Sequence, residues 1–202
     1  MTSERYVALS RSFASRDGAP VIEKVDVEIF RRTYFTHCLA CTFCNDHCCQ
    51  YGVDVDLVHF HRIMEHVDGL EAYTGIDRSQ WFTDEYEEDP DVPGGGSRRT
   101  AVKGRGCIFL NPSGRGCLLH GYCIDQGIEF RELKSLVDCL FPASFYDDTL
   151  SLADEVDDGS LICLNTGPTV YRGVRGDLEY FFGVEFVGEL DRMERRMFSA
   201  RP

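Results

Sequence analysis

The spacing of hydrophobic and polar positions predicts both short strands and amphipathic helices. Residues 21–30 alternate apolar and mostly acidic side chains, which is the period-two pattern of a half-buried strand. After Asp54 and Asp56, either of which can cap a helix, apolar residues recur every three or four positions as far as Val67. A further short strand is predicted over residues 149–153. Both periods occur in one chain, which indicates mixed α and β structure.

The last third of the chain is predicted to be mainly helical. Residues 130–140 carry apolar side chains at helical spacing, and Pro142 ends that segment. Pro168 is expected to open a helix that runs to about Phe182, and apolar residues line another helix over 186–197. The expected fold is therefore α+β, with a small β element around a cysteine cluster, several α-helices packed on it, and long loops.

The chain is expected to form one domain over residues 1–202, because its length is sufficient for one hydrophobic core. The stretch at 84–97 is acidic and then rich in Pro and Gly, which predicts a solvated loop. Residues 84–106 are thus a candidate boundary between two subregions, and residues 168–202 are the predicted C-terminal helical segment.

Composition and charge exclude several classes of protein. Hydrophobic residues make up 43% of the chain, as in globular proteins, and the net charge of −13 argues against nucleic-acid binding, which needs a basic surface. No apolar run approaches the roughly 18 residues of a membrane-spanning helix. The N-terminus lacks the apolar core of a signal peptide, so we expect a cytoplasmic protein with no membrane segment.

The ten cysteines are the most informative feature of the sequence. Half of them fall within twelve positions, where the mean density would place fewer than one: Cys38, Cys41, Cys44, Cys48 and Cys49. Burial as small hydrophobes suits Cys163 in its apolar run but not this polar segment, and disulfides need an oxidising compartment. Metal binding is the favoured interpretation, because thiolates at C-x2-C spacing can reach one soft ion from a tight turn.

The spacing favours iron–sulfur over zinc. The C-x2-C-x2-C-x3-C pattern over residues 38–48 matches the bacterial ferredoxin run that ligates a four-iron cluster, although Cys49 replaces the proline that follows there. Zinc sites usually show two C-x2-C pairs, whereas Cys107, Cys117 and Cys123 have wider spacings. An iron–sulfur cluster or iron is therefore the favoured cofactor, and zinc is the alternative.

Other groups are expected near the cysteines. Cys107 and Cys117 flank the turn-rich residues 111–116, which predicts a hairpin with a cysteine on each arm. His37 and His47 border the cluster and are further candidates for ligands or for donors to ligands.

A stretch of the chain at residues 94–116 is basic and contains no acidic residue. We call its charged members the basic island: Arg98, Arg99, Lys103, Arg105 and Arg115. A buried metal–thiolate site carries negative charge and needs positive partners, so we expect the basic island to lie over the cysteines. The alternative is that these charges are merely solvated.

The ordered cysteine motifs resemble those of a known family. The C-x2-C-x3-C-C run that starts at Cys41 is followed by Cys-Ile-Phe-Leu at 107, Cys-Leu-Leu-His at 117, Cys-Leu-Phe-Pro at 139 and a cysteine at 163. Over about residues 38–168 the chain resembles the YkgJ-like cysteine-cluster family of zinc- or iron-chelating domains. Matched motif by motif, the resemblance implies eight metal ligands: Cys41, Cys44, Cys48, Cys49, Cys107, Cys117, Cys139 and Cys163.

The resemblance and the spacing leave two classes of function. The family includes a flagellin lysine N-methylase, which implies redox or methyl-transfer chemistry with a protein partner or substrate, while most members have no assigned reaction. The other class is a structural zinc-binding module that mediates protein interaction without catalysis. Cys38 and Cys123 fall outside the family pattern, so the sequence leaves open which thiols share an ion and how many ions are bound.

Overall fold

The computed structural model describes residues 4–36, 42–44 and 46–199. These residues form eleven strands and seven α-helices, with short 3-10 helices between them, so the predicted α+β class is confirmed. No helix in this described part combines the length and the apolar character needed to cross a membrane.

The strands are mostly short. In chain order they are β1 (Tyr6–Ala14), β2 (Val21–Asp26), β3 (Thr33–Tyr34), β4 (Asp54–Asp56), β5 (Phe82–Glu88), β6 (Gly96–Thr100), β7 (Val102–Lys103), β8 (Gly106–Cys107), β9 (Ala143–Tyr146), β10 (Thr149–Leu152) and β11 (Leu164–Thr169). The helices are α1 (Leu57–Glu65), α2 (Val67–Thr74), α3 (Leu118–Gln126), α4 (Leu136–Leu140), α5 (Asp154–Asp157), α6 (Val170–Phe182) and α7 (Val184–Ser199).

The chain divides into two compact units. Unit 1 combines Met1–Thr36 with Leu140–Pro202, and unit 2 is His37–Cys139. The boundary that the sequence suggested at residues 84–106 falls inside unit 2.

Unit 1 is a mixed sheet with two long helices. Its four strands lie in the order β1-β2-β10-β9, with β2 and β10 parallel and the other pairs antiparallel, and β3 pairs separately with β11. The strand predicted over 21–30 ends at Asp26, whose carboxylate accepts the Glu28 N–H and caps a 3-10 helix over Val27–Phe30. The alternating apolar residues after Asp26 therefore enter the core from a helical turn.

Unit 2 is built around a three-stranded antiparallel sheet in the order β4-β6-β5, the β7–β8 hairpin, and helices α1 to α3. Its core centres on Trp81 and Phe109, with Ile63, Leu70 and Cys123 packed around them. The predicted helix after Asp56 is present as α1, but it ends at Glu65, and Val67 begins α2. Asp56 caps α1 by accepting the His59 N–H at 3.0 Å.

Half of the predicted loop at 84–97 is instead sheet, at its two ends. Strand β5 covers most of its acidic part and pairs with β6, and Pro93–Gly95 forms the turn between them. The acidic residues are compatible with a strand because β5 lies at the edge of the sheet and exposes their side chains to water.

Two predicted helices have different boundaries in the structure. The segment 130–140 is a 3-10 turn followed by α4, which begins after Ser135 because the Ser135 hydroxyl accepts the Asp138 N–H. Helix α6 begins at Val170, not at Pro168, because residues up to Thr169 belong to β11 and Thr169 supplies the cap. The predicted strand at 149–153 and the last helix are confirmed as β10 and α7.

Helices α6 and α7 are joined by a network of charges. The Arg175 guanidinium lies 2.9 Å from one oxygen of Asp191, and the Tyr171 hydroxyl donates to the other oxygen at 2.6 Å. These donors hold the pKa of Asp191 at about 2, below its ordinary value, whereas burial raises the pKa of Tyr171. The ionised form of Asp191 is therefore favoured more strongly in the folded chain than in the unfolded chain, so its charge stabilises the fold.

Replacing Asp191 with Asn should lower the free energy of unfolding by about 1–2 kcal/mol at pH 7. A lowered folded-state pKa stabilises the protein above the unfolded-state value near 4, and that stabilisation disappears as the pH falls towards 2. The difference between wild type and Asp191→Asn should therefore shrink between about pH 4 and pH 2. Urea unfolding followed by circular dichroism measures this difference. Tryptophan fluorescence would not, because Trp81 lies in unit 2 and Asp191 lies in unit 1.

The control is Glu155→Gln, which removes an exposed carboxylate from α5. We expect it to change the unfolding free energy by less than about 0.5 kcal/mol. A loss at Asp191→Asn that stayed constant down to pH 2.5 would show that the carboxylate charge is not its source.

Candidate metal centre

Residues 46–50, in the described part of the cysteine-rich segment, form a tight turn that we call the cysteine-rich turn. Asp46 has a left-handed backbone with φ of 57° and begins a 3-10 helix over His47–Cys49. The carbonyl of Asp46 accepts the Cys49 N–H at 2.9 Å, and the carbonyl of Cys44 accepts the His47 N–H at 3.1 Å. Because both bonds close short loops, Cys44 and Cys49 belong to one compact piece of backbone.

Strand β8 lies directly against this turn. A Cβ atom placed on Gly106 would lie 2.8 Å from the Cys49 carbonyl oxygen, a distance that real Cβ atoms essentially never show. It would also lie 3.1 Å from the Cα of Gln50. Only glycine lets the two backbones come this near. The residue after Gly106 is Cys107, so this contact brings a distant cysteine next to the cysteine-rich turn.

The hairpin predicted between Cys107 and Cys117 is present in part. Leu110 and Cys117 form an antiparallel bridge across the turn, so Cys117 does lie on one arm. Cys107 instead lies on β8, which pairs with β7, and its Sγ donates to the Thr100 hydroxyl at 3.4 Å.

Cys107 and Cys117 share one electrostatic environment. Burial raises the pKa of the Cys107 thiol above its ordinary value and raises the pKa of Cys117 to about 11. The charge of Asp138 adds to both increases, the thiolate form of Cys107 adds to that of Cys117, and the ammonium of Lys134 opposes it. Both thiols are therefore neutral at pH 7 in the metal-free chain, and metal binding here would release protons.

Two further cysteines of unit 2 have different surroundings. Cys139 on α4 is 9% exposed, and its Sγ donates to the carbonyl oxygen of Lys134 at 3.6 Å. The ammonium of the same Lys134 lowers the pKa of Cys117. Cys123 on α3 is fully buried in the hydrophobic core with Leu119. This position suits a packing residue and agrees with the absence of Cys123 from the family pattern.

The remaining predicted ligands fall in unit 1, in the turn itself, or outside the described residues. Cys163 belongs to unit 1, where it is buried and its carbonyl oxygen accepts the Phe35 N–H at 3.2 Å. Cys41, together with Cys38 and His37, lies outside the described residues. His47 lies in the turn with its Nε2 3.1 Å from the side-chain nitrogen of Gln50.

The donor set is chemically suited to zinc or iron, since every described member is a thiol and none is half of a disulfide. Within residues 4–36, 42–44 and 46–199, no three His, Cys, Asp or Glu side chains stand close enough to hold an ion. Neutral thiols have no electrostatic reason to gather, and a bound ion would supply one by displacing their protons.

One member of the basic island reaches a cysteine. Arg115 donates from Nη2 to the Sγ of Cys44 at 3.2 Å. The other members contact different groups: Arg98 lies over the ring of Phe60, Arg99 pairs with Asp54, Lys103 donates to the Gln80 side chain, and Arg105 donates to the carbonyl of Asn111. Among the described residues, the expectation that the basic island covers the cysteines is thus supported by the contact of Arg115 with Cys44.

A buried acid–histidine pair went unnoticed in the sequence. The Nδ1 of His59 lies 2.7 Å from the Asp56 carboxylate, and its Nε2 lies 3.1 Å from the carbonyl oxygen of Arg131. Both side chains are almost completely buried. Because protein groups occupy both ring nitrogens, His59 fastens α1 to the Arg131 segment and is a structural residue. The only signal was an Asp three positions before a His at a helix start.

No protein-family model, curated protein or solved structure matches this chain. The resemblance to the YkgJ-like family therefore rests on the order and spacing of the cysteine motifs.

Replacing Gly106 with Ala should destabilise unit 2 by about 1–3 kcal/mol, because the added methyl group must push the Cys49 backbone away. Tryptophan fluorescence during urea unfolding reports this loss, since Trp81 lies in the core of unit 2. As a control, Gly188→Ala on α7 of unit 1 adds a methyl group with an ordinary 3.7 Å contact and should slightly stabilise the helix, which urea unfolding followed by circular dichroism measures. Equal stability of Gly106→Ala and wild type would rule out the close approach.

Proposed function

We propose that this chain is a metal-binding protein that holds an iron–sulfur cluster or iron through cysteine thiolates of unit 2. The observation that carries the proposal is the contact between Gly106 and the Cys49 backbone, which joins the cysteine-rich turn to Cys107. The charged form of Cys107 raises the pKa of Cys117, which adds a third segment of the chain to the support for this proposal.

The ligands we assign within unit 2 are Cys44, Cys48, Cys49, Cys107, Cys117 and Cys139. Cys41 and Cys163 complete the set that the family resemblance implies, and their roles stay predictions. Four thiolates around zinc or an oxidised four-iron cluster leave a net charge near −2, so the protein around the site has to supply hydrogen-bond donors or positive charge.

When bound, iron or an iron–sulfur cluster would supply one-electron redox chemistry, which the thiolate ligands and their hydrogen bonds tune. The chain contributes burial, since Cys44 and Cys139 are both less than a tenth exposed. It also contributes a hydroxyl at Cys107: Thr100 Oγ1 accepts from both the Val53 N–H and the Cys107 thiol. Once that thiol has lost its proton, the same hydroxyl can turn to donate to the sulfur.

The reaction classes consistent with the resemblance are redox and methyl transfer, with a protein partner or substrate and a cytoplasmic location. The two reaction classes follow from the cysteine motifs and the resemblance they carry, and the location follows from an N-terminus without the apolar core of a signal peptide.

Structural zinc is the second candidate, and the short elements that carry the thiols favour it. Strand β8 has two residues, α4 has five, and the turn at His47–Cys49 is a single 3-10 helix. Segments this short gain little stability from their own backbone hydrogen bonds, so an ion that ties them together would stabilise the fold.

The test is metal content and visible absorption of the full chain purified without oxygen. We expect stoichiometric iron and a brown protein whose colour bleaches on reduction or in air. Colourless protein with zinc that survives air would instead establish the structural module. Protein with neither metal, even after reconstitution under reducing conditions, would refute the metal-binding proposal.

Matched serine variants separate ligands from packing residues. Cys107→Ser and Cys117→Ser should lose most of the bound metal, because serine is a poor ligand for these soft ions. Cys123→Ser should retain the metal and lose only stability, since Cys123 lies in the hydrophobic core. Equal metal retention in all three variants would remove Cys107 and Cys117 from the ligand set.

A further inference from the structure

We propose that Arg115 and Asp46 are positioning residues that together hold Cys44 in place as a metal ligand. The inference rests on the proposed metal centre and extends it, since neither residue is a ligand in the cysteine motifs. It assigns a task to two charged side chains that lie almost seventy positions apart and meet beside one sulfur.

The guanidinium of Arg115 hydrogen-bonds to a sulfur and forms an ion pair with a carboxylate. Its Nη2 donates to the Sγ of Cys44 at 3.2 Å, and its Nη1 lies 3.2 Å from Oδ2 of Asp46. The other oxygen of Asp46 accepts the N–H of Gly116 at 3.3 Å, so the carboxylate holds both the side chain of Arg115 and the backbone next to it. These contacts tie the cysteine-rich turn to the turn at residues 111–116.

The burial of these groups indicates more than a surface ion pair. Asp46 and Cys44 are each 3% exposed, and the Arg115 side chain is mostly covered. Removing a carboxylate and a guanidinium from water is costly, and their mutual attraction often fails to compensate. A turn needs only a residue that tolerates a left-handed backbone at position 46, which an exposed Asn would provide. The buried pair therefore points to a use for the charge at this place.

That use is the sulfur of Cys44. A metal-bound thiolate is negatively charged and accepts hydrogen bonds strongly, and Arg115 already directs an N–H at it. Outer groups that hydrogen-bond to a ligand fix its orientation and strengthen metal binding. With Asp46 holding the other side of the guanidinium, the donor is in position before the metal arrives.

Arginine suits this task in a way that lysine does not. The planar guanidinium holds its N–H donors in a fixed arrangement and can contact two partners at once. The ammonium of lysine is a compact charge on a flexible stem and fixes the direction of its hydrogen bonds less well. Arg105 provides a matched comparison, because it lies in the same basic stretch, is exposed, and donates to the carbonyl of Asn111.

The experiment measures Co²⁺ binding to the reduced full chain, because cobalt–thiolate bonds give a sulfur-to-metal charge-transfer absorption that grows with the number of thiolates. Arg115→Gln should weaken Co²⁺ binding about 10- to 100-fold and reduce the charge-transfer intensity per bound cobalt. Arg115→Lys should recover part of the affinity, and Arg105→Gln should stay within about twofold of wild type.

Asp46→Asn tests the second half of the proposal. Asparagine tolerates the left-handed backbone, so the turn can persist while the charge that orients Arg115 is lost. This variant should weaken Co²⁺ binding in the same direction as Arg115→Gln. Unchanged affinity in Asp46→Asn would overturn the role assigned to Asp46.

A double variant separates a positioning role from general stability. If Arg115 acts through Cys44, the charge-transfer intensity of Arg115→Gln should match that of Cys44→Ser, and combining the two should cause no further loss. Additive losses would overturn the inference. Should Arg115→Gln fail to fold by circular dichroism, Arg115→Lys decides, and wild-type affinity and spectrum in that variant would overturn it.

Failure of this inference can be distinguished from failure of the metal centre. If wild type binds Co²⁺ through thiolates and Arg115→Gln has the affinity and spectrum of Arg105→Gln, the metal centre stands and the role of Arg115 is refuted. If wild type shows no thiolate-to-cobalt absorption, the metal centre itself is refuted, and the inference falls with it.

Discussion

The backbone of Gly106 and the carbonyl of Cys49 lie so close that no side chain fits between them, and the arrangement of the thiols depends on this contact. It places β8 against the cysteine-rich turn, although more than fifty residues separate the two segments in the chain. Cys107 follows directly, and its charged form and the ammonium of Lys134 both act on the pKa of Cys117. Backbone packing thus brings the segment that carries Cys107 against the segment that carries Cys49 in unit 2.

Charge explains why such a group can stay intact without a metal. Burial keeps Cys107 and Cys117 neutral, so the thiols do not repel one another in the folded chain. The cost appears only when they deprotonate, in a chain whose net charge is already −13. Arg115 then matters more than its neighbours, because it is the member of the basic island whose guanidinium contacts a cysteine sulfur. In the proposed metal centre, an ion and the half-buried Arg115 would together offset a charge that the rest of this acidic chain would increase.

The sequence pattern predicted those elements that depend on interactions between residues close together in the chain. The fold class, α1 with its Asp56 cap, β10 and α7 all follow from apolar spacing and capping residues. Strand β5 was predicted as a loop, because its pairing with β6 depends on a register that composition does not reveal. The partners of Arg115 are likewise tertiary, since only the folded backbone brings residue 115 to residues 44 and 46. The spacing of the cysteines gave their candidate role, but not the separation of Cys163 into unit 1.

Metal coordination by sulfur would explain the cysteine motifs, the close packing of Gly106 on Cys49 and the contact of Arg115 with Cys44. X-ray absorption at the metal edge measures this coordination directly. Full-length protein purified without oxygen should give a first shell of sulfur atoms at about 2.3 Å, with a second shell of iron if a cluster is present. A first shell of only nitrogen or oxygen at about 2.0–2.1 Å would show that the cysteines do not hold the ion, and the proposed metal centre would have to be abandoned.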